Sequence, residues 1–516
     1  MKNLLILFLS SFLIIQSLAS ELVLIPTNSL DATRQLFNNP EVKVHFFRDE
    51  FAIATLSHPS TQNSISLDEK PWQENMSYYL VYTDASVNKA SYKASIAMQA
   101  DILHDGDFFL IVRTNEKKYG QLPPAKNDGM VRIFSREAQI ADSHPYFRNS
   151  QSKEANPDIA ALLEKVNGEY ITQQVWHLQH YGTRDAYMPQ SIDAQNWIKQ
   201  RFLTWGLDVE VMDFTMPYGP ASDNVIATHI GTMYPQEYVV LGGHYDSYSY
   251  SGDAPGADDN ASGTSGVMEI ARILSEYDFE RTIVFCAFSG EEYGLYGSAA
   301  YAGRSAQRGK DILGYFNMDM IGYLKPGNTT MVTSLIYPET AQELADFYTQ
   351  IVSVYLPDFQ IIPASFTGGD SDHTSFNNNG YMGIFPFEDT NNYSPYIHTS
   401  NDLVGPSYNN QEQAVVFTQA ILASVATMAG LVMPTGISKI DKHATLYPNP
   451  ATDKVTISME GGQQTSVTIS NVAGQKVSSF TMQGSGEINI TNLPAGIYML
   501  QIQGGNFRET HKLLVQ

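Results

Sequence analysis

The chain has a single cysteine among its 516 residues, Cys286, in the apolar run "TIVFCAFS". An internal disulfide is therefore impossible, and stability has to come from packed cores, with help from bound metal. A lone cysteine in such a run reads as a small buried hydrophobe. Basic residues are also scarce: 31 Lys and Arg stand against 54 Asp and Glu, a formal charge of −23. That balance argues against nucleic acid or an anionic membrane surface as a partner. Beyond the first twenty residues, no stretch reads as long and apolar enough to cross a bilayer.

What is there begins with "MKNLLILFLSSFLIIQSLAS": one Lys, an apolar run from Leu4 to Ile15, and small residues at Ser17 and Ala19. This pattern predicts a signal peptide over 1–20, and hence a secreted or cell-surface protein exported through the periplasm. Residues 21–150 hold short runs such as "ELVLIP", "VKVHFF" and "SYYLVYT", a β-rich region read as a propeptide or accessory domain. Over 155–432 helical patterns alternate with the continuous apolar runs "EYVVLGGH", "TIVFCAFS", "ILGYFNMD" and "GYMGIFPF". Continuous runs indicate strands covered on both faces. The fold class is thus α/β: three layers, α/β/α, around a mixed, mostly parallel sheet. The helices read as "PDIAALLEKVNGEYITQQVWHLQ", "SIDAQNWIKQRFLTWG" closed by Gly206, "TSGVMEIARIL" and "QEQAVVFTQAILASVATMAGL". A linker at 433–440 leads into alternating strands over 441–516, a small β-sandwich.

Residues 255–263 read "PGADDNASG". Two adjacent carboxylates repel each other, and nothing basic flanks them. The stretch is either an exposed turn or the seat of a cation. In open α/β sheets functional groups gather beyond the carboxyl ends of strands. Here those ends carry "GGHYDS" (His244, Asp246), "GADDN" (Asp258, Asp259), "SGEEYG" (Glu291, Glu292), "NMDMIG" (Asp319) and "YIHTSND" (His398). Any one alone reads as a surface, capping or dipole-complementing group. Together, two imidazoles and several carboxylates make a ligand set for a pair of zinc ions, which take N and O donors at about 2 Å.

These motifs, in this order and at these separations, resemble the secreted di-zinc exopeptidases of the bacterial leucyl-aminopeptidase type, in the co-catalytic zinc metallopeptidase family. The resemblance implies two Zn2+ per chain, with His244 and Asp319 on one ion, Glu292 and His398 on the other, and Asp259 bridging both. It implies that Asp246 orients the His244 ring, that Asp258 is not the bridging residue, and that the Asp259–Asn260 peptide is cis. Glu291 is then the general base for a water shared by the ions, and the substrates are peptides with a free N-terminus. Matching the family's pocket places Met320, Phe385, Phe387, Tyr393 and Ile397 around the first side chain, favouring a large apolar residue such as Leu. On their own these five read as plain core. Where some relatives have a disulfide-braced loop with a tyrosine near the developing oxyanion, this chain has "FTGGDSDH", with neither Cys nor Tyr.

At the other end, "LYPNPATDKVTI", "NVAGQKV", "NLPAGIYMLQI" and "KLLVQ" resemble the type IX secretion sorting domain, which implies that secretion machinery as a partner. Three rival functions stay open. A carboxypeptidase or dipeptidase on the same scaffold needs a cation for the substrate's C-terminal carboxylate. No Arg or Lys adjoins a metal motif, although Arg304 and Arg308 are not far along the chain. A glutaminyl cyclase is disfavoured by the intact five-ligand set. A non-catalytic surface binding protein is disfavoured because His244, Asp259, Glu291, Glu292, Asp319 and His398 are all present.

Overall fold

The computed structural model describes residues 21–58, 63–83, 89–115, 122, 129–149, 154–364, 369–432, 444–459, 464–471, 475–504 and 508–515. The signal peptide and the linker read from the sequence lie outside these residues. Two compact units result, Met1–Met433 and Pro434–Gln516.

At the centre of the first unit is an eight-stranded sheet. Its order is Gln360–Ala364, Val332–Ile336, Gly383–Phe387, Asp311–Asn317, Tyr234–His244, Arg281–Phe288, Asn224–His229 and Asp208–Met212. The middle four strands are parallel to one another. Antiparallel pairings flank them on both sides, so the sheet is mixed. The continuous apolar runs have the expected cause. Val239, Leu241, Ile283 and Phe285 face one core, shared with Ile171, Ile198, Ile270 and Phe417 from the helices. Val240, Val284, Cys286 and Phe288 face another, shared with Tyr301 and Phe376. Both sheet faces are therefore buried under helices.

Two sequence expectations need amendment. The first long helical pattern is two helices, Pro157–Leu163 and Gly168–Gln179, because Asn167 caps the second by accepting from the Tyr170 amide. An Asn-Gly pair competes with helix continuation in this way. The last helix, Gln411–Ala429, is long and apolar enough to cross a membrane, contrary to the reading above. Its most apolar window is 72% buried within the fold, where its side chains join the larger core.

The N-terminal region contributes two four-stranded antiparallel sheets, ordered Val42–Phe47, Phe51–Leu56, Glu21–Pro26, Ile65–Asp68 and Asp101–Asp105, Phe109–Asn115, Met76–Tyr82, Met130–Ile133. It shares cores with the α/β layers: Leu295 packs among Leu22, Phe46 and Leu80, and Tyr293 and Tyr296 pack among Tyr79 and Leu110. The second unit is two antiparallel sheets, of three and four strands, closed over Val455, Ile457, Val467, Ile469, Leu500 and Ile502.

Candidate metal centre

The parallel strands end together, and their ends deliver the acidic motifs to one place. His244 is the last residue of its strand. Glu291 and Glu292 follow the strand ending at Phe288, and Asp319 follows the one ending at Asn317. The "PGADDNASG" segment crosses beneath as a kinked turn leading into the helix Gly263–Leu274, with a cis Asp259–Asn260 peptide. Its glycine has a steric reason: a Cβ on Gly263 would sit 2.1 Å from the Met318 carbonyl oxygen, and one on Gly243 2.2 Å from the same atom. The Asn260 side chain locks this close approach, donating to that carbonyl at 3.0 Å and accepting from the Gly263 amide at 2.8 Å.

The two aspartates diverge. Asp258 turns away, accepting from the Gly322 amide at 3.0 Å. Asp259 presents one oxygen to each histidine: Oδ1 is 3.3 Å from His244 Nε2, and Oδ2 is 3.2 Å from His398 Nε2. His244 Nε2 also lies 3.4 Å from Asp319 Oδ1, and His398 Nε2 lies 2.8 Å from Glu292 Oε2. Two donors each about 2.0–2.1 Å from a tetrahedral zinc stand about 3.3 Å apart, so the separations of 3.2–3.4 Å suit donors to bound metal. The Nδ1 of His244 faces a carbonyl, that of Asp246, at 3.1 Å. A carbonyl only accepts, so Nδ1 carries the hydrogen and the Nε2 lone pair points at the carboxylates, the arrangement of a metal-ligating imidazole. The Asp246 carboxylate is farther from Nδ1, at 3.6 Å, and accepts from the Glu291 amide at 3.3 Å. Its nearest support to the ring is thus through its backbone.

All six groups are buried, and the charges strain against that burial. Burial and Asp259 push the Glu292 carboxyl up to about 7. Burial also pushes Glu291 well above its usual range, with His244 opposing and Glu292 adding. Burial would raise Asp259 too, but hydrogen bonds from His244 and His398 hold it below the ordinary carboxylate range. Asp319 Oδ1 and Glu292 Oε1 are buried without a hydrogen-bond partner. The cleft is lined by Gly129, Met320, Gly369, Asp370, Phe385, Phe387 and Ile397 besides the six, with no Lys or Arg among the described residues. Buried carboxylates in such excess call for cations. The ligand atoms of His244, Glu291 and Asp319 lie within 4.8 Å of one another, as do those of His244, Asp259 and Glu292, so the residue set fits bound zinc. Glu291 is itself within ligand reach.

The five residues read as a pocket also meet. Met320, Phe385, Phe387 and Ile397 form one buried apolar cluster with Ile336, and Tyr393 and Ala364 pack on it. Met320 and His398 hold left-handed backbone conformations, at φ 51 and 55, which side-chain-bearing residues adopt at a cost. Part of the "FTGGDSDH" loop, residues 366–368, lies outside the described residues.

Several residues of this centre escape the sequence reading, although Asp402 and Ser371 lie within motifs quoted above. Asp402 accepts from the amides of Asp258 and Asp259, at 2.9 and 3.0 Å. Arg184 is fully buried and donates to the carbonyls of Leu178, Tyr245, Pro255 and Gly256; burial pulls its pKa down to about 10. It braces the aspartate turn from below, through its backbone. Ser371 donates to Asp319 Oδ2 at 2.7 Å. Arg304, considered above as a cation for a carboxypeptidase, pairs with Glu210 and does not line the cleft.

His373 gives this wall an acid sensitivity. It is buried with its ring 5.2 Å from that of Phe385, and burial, partly opposed by Asp370, pulls its pKa from 6.5 down to about 4. The unfolded chain therefore takes up a proton before the folded one does, and stability falls as pH drops from 6.5 towards 4. The difference is worth about 3 kcal/mol at about 1.4 kcal/mol per unit. His373→Gln is expected to remove that share of the acid destabilisation, read as the urea midpoints of both proteins at neutral and acidic pH.

Residues 224–423 match the profile of peptidase family M28. A probable leucine aminopeptidase of Trichophyton verrucosum is 31% identical over 266 residues, which cover 48% of this chain and 67% of that protein. The chain belongs to peptidase family M28. A probable zinc metalloprotease of Leptosphaeria maculans is 32% identical over 188 residues, 32% of this M28 chain and only 44% of the relative's length. Among solved structures, the LapA aminopeptidase of Legionella pneumophila shares the fold, with a TM-score of 0.55 and 20% identity over 69% of this chain and 99% of that one. Residues 445–516 match the secretion system C-terminal sorting domain.

Proposed function

We propose that this chain is an exported metallo-aminopeptidase that hydrolyses the N-terminal peptide bond of peptides, preferring a large apolar first residue. One observation carries the reading: Asp259 offers one carboxylate oxygen to each of two imidazoles, and each imidazole faces a further carboxylate. His244, Asp259 and Asp319 would hold one zinc ion and Asp259, Glu292 and His398 the other. Bound there, the pair would supply Lewis-acid polarisation of the scissile carbonyl and acidify a water. Glu291 takes the proton from the attacking water and returns it to the departing amine. Burial raises its affinity for a proton, which suits a group that must take one from water, and bound cations beside it would keep it ionised beforehand. The Met320, Phe385, Phe387, Tyr393 and Ile397 cluster borders the cleft and receives the first side chain. No Arg or Lys lines the cleft among the described residues, so nothing there would pair with a C-terminal carboxylate, which favours this reading over the carboxypeptidase one. The sorting-domain match and the signal-peptide pattern read over 1–20 support export through the periplasm and the type IX machinery.

Release of p-nitroaniline from leucine p-nitroanilide tests this, with the N-acetylated substrate alongside. Activity lost to a chelator, restored by zinc and absent on the blocked substrate is expected. Equal activity on the blocked substrate would overturn the free-amine requirement.

A further inference from the structure

The N-terminal region lines the cleft at Gly129 and reaches the candidate metal centre at two further points. The first is the loop after Glu291 and Glu292. Arg132 donates its amide to the Gly294 carbonyl at 3.2 Å, the hydroxyls of Tyr79 and Tyr296 meet at 2.7 Å, and Leu295 is buried in the N-terminal core. The second is Asp370, on the cleft wall. Its carboxylate is almost fully buried, with 2% of the side chain exposed. Tyr82 donates to Asp370 Oδ2 at 2.7 Å, and Arg48 approaches the same oxygen at 3.4 Å while also donating to the Tyr82 hydroxyl. Asp370 Oδ1 accepts from the Ser371 amide at 3.0 Å, and from Thr374. Ser371 in turn accepts from Asn317 at 2.8 Å and donates to Asp319 Oδ2 at 2.7 Å. A continuous chain of hydrogen bonds thus runs from Arg48 and Tyr82 to Asp319.

We propose that residues 21–149 are a working part of the metal centre, with Arg48 and Tyr82 as positioning residues that act through Asp370 and Ser371 on Asp319. Asp319 Oδ1 has no hydrogen-bond partner and Oδ2 is held by Ser371, so the Ser371 contact helps to leave Oδ1 free for a metal ion. Ser371 is held by a backbone whose neighbouring carboxylate is clamped from the N-terminal region. Charge-assisted hydrogen bonds from Tyr and Arg to a buried carboxylate are the strong kind. Gly129 of this region also lines the cleft, and the Asp370 contact carries the region's reach into the cleft wall itself. The inference rests on the reading of Asp319 as a metal ligand.

The test uses the full chain carrying Tyr82→Phe, which removes one hydroxyl and keeps the ring, and Ser371→Ala, singly and together, with Arg48→Met and Arg48→Lys as a second pair. Two quantities are read: the zinc dissociation constant, by competition with a chelator, and the split between kcat and KM on leucine p-nitroanilide. Outer partners of ligands are worth about 10–100-fold in affinity or activity. Tyr82→Phe is expected to weaken zinc binding and lower kcat by about 10-fold with KM little changed, the low end of that range. Arg48→Lys should recover part of what Arg48→Met loses. The double variant should cost little more than Ser371→Ala alone, because both substitutions break one chain. Unchanged zinc affinity and kcat, fully additive losses, or a rise in kcat would each overturn the proposal, the last by marking the region as a brake. If the wild-type chain binds zinc but cleaves no aminopeptidase substrate, the functional reading fails, and the zinc constants still decide this one.

Discussion

Replacing Glu291 by glutamine is expected to lower kcat by about 1,000-fold, within the range that a general base contributes, while zinc content stays that of the wild type. The two readouts separate because Glu291 and Glu292 stand side by side with different work. Glu292 contacts His398 at 2.8 Å and belongs to the proposed ligand set. Glu291 lies in the cleft with its amide anchored on Asp246, and burial raises its carboxyl well above the usual range. The amide of glutamine fills the same space but cannot accept a proton, so about 4 kcal/mol of transition-state stabilisation goes with it. KM should change little. A thousandfold loss accompanied by loss of zinc would instead make Glu291 a ligand, which its distance to His244 and Asp319 permits.

The second large effect is expected at Asp259. Asp259→Ala should abolish measurable turnover and leave at most one zinc per chain, because both oxygens of one carboxylate serve two imidazoles. Zinc that binds only the native state adds about 4 kcal/mol of stability at a free concentration a thousand times its dissociation constant. Wild-type protein should therefore melt earlier in the presence of a chelator, and the variant's melting temperature should respond much less. Metal analysis and thermal scans on the same samples check both statements. An Asp259→Ala chain that keeps two zinc ions would remove the bridging role.

Both predictions concern residues legible in the sequence, and the reason is topological. Parallel strands end at one edge, so each run such as "EYVVLGGH" or "TIVFCAFS" announces where its following polar residues must lie. Neighbouring strand ends then bring distant motifs together, as the His244, Glu292 and Asp319 contacts illustrate. Less legible were groups that work on backbone atoms. Arg184 serves four carbonyls and Asp402 two amides, and neither task imposes a spacing on the sequence. The break at Asn167 was available in the Asn-Gly pair but was outweighed by helical periodicity on either side. The link from Arg48 and Tyr82 to Asp370 spans about 300 positions of chain and joins two regions that each read as self-sufficient. Local patterns hold no trace of such a contact.

Cys286 lies at the middle of this construction. It is wholly buried, opposite Ile226 on one neighbouring strand and Gly242 on the other, and burial drives its thiol towards the protonated form. An alkylating reagent can reach that sulfur only when the layer of Tyr301 and Phe376 over this face of the sheet opens. Because the chain has no second thiol to confuse the signal, the rate at which the native protein is labelled becomes a clock for that opening. For the same reason, reductants in the surrounding medium find no internal disulfide in this chain to open.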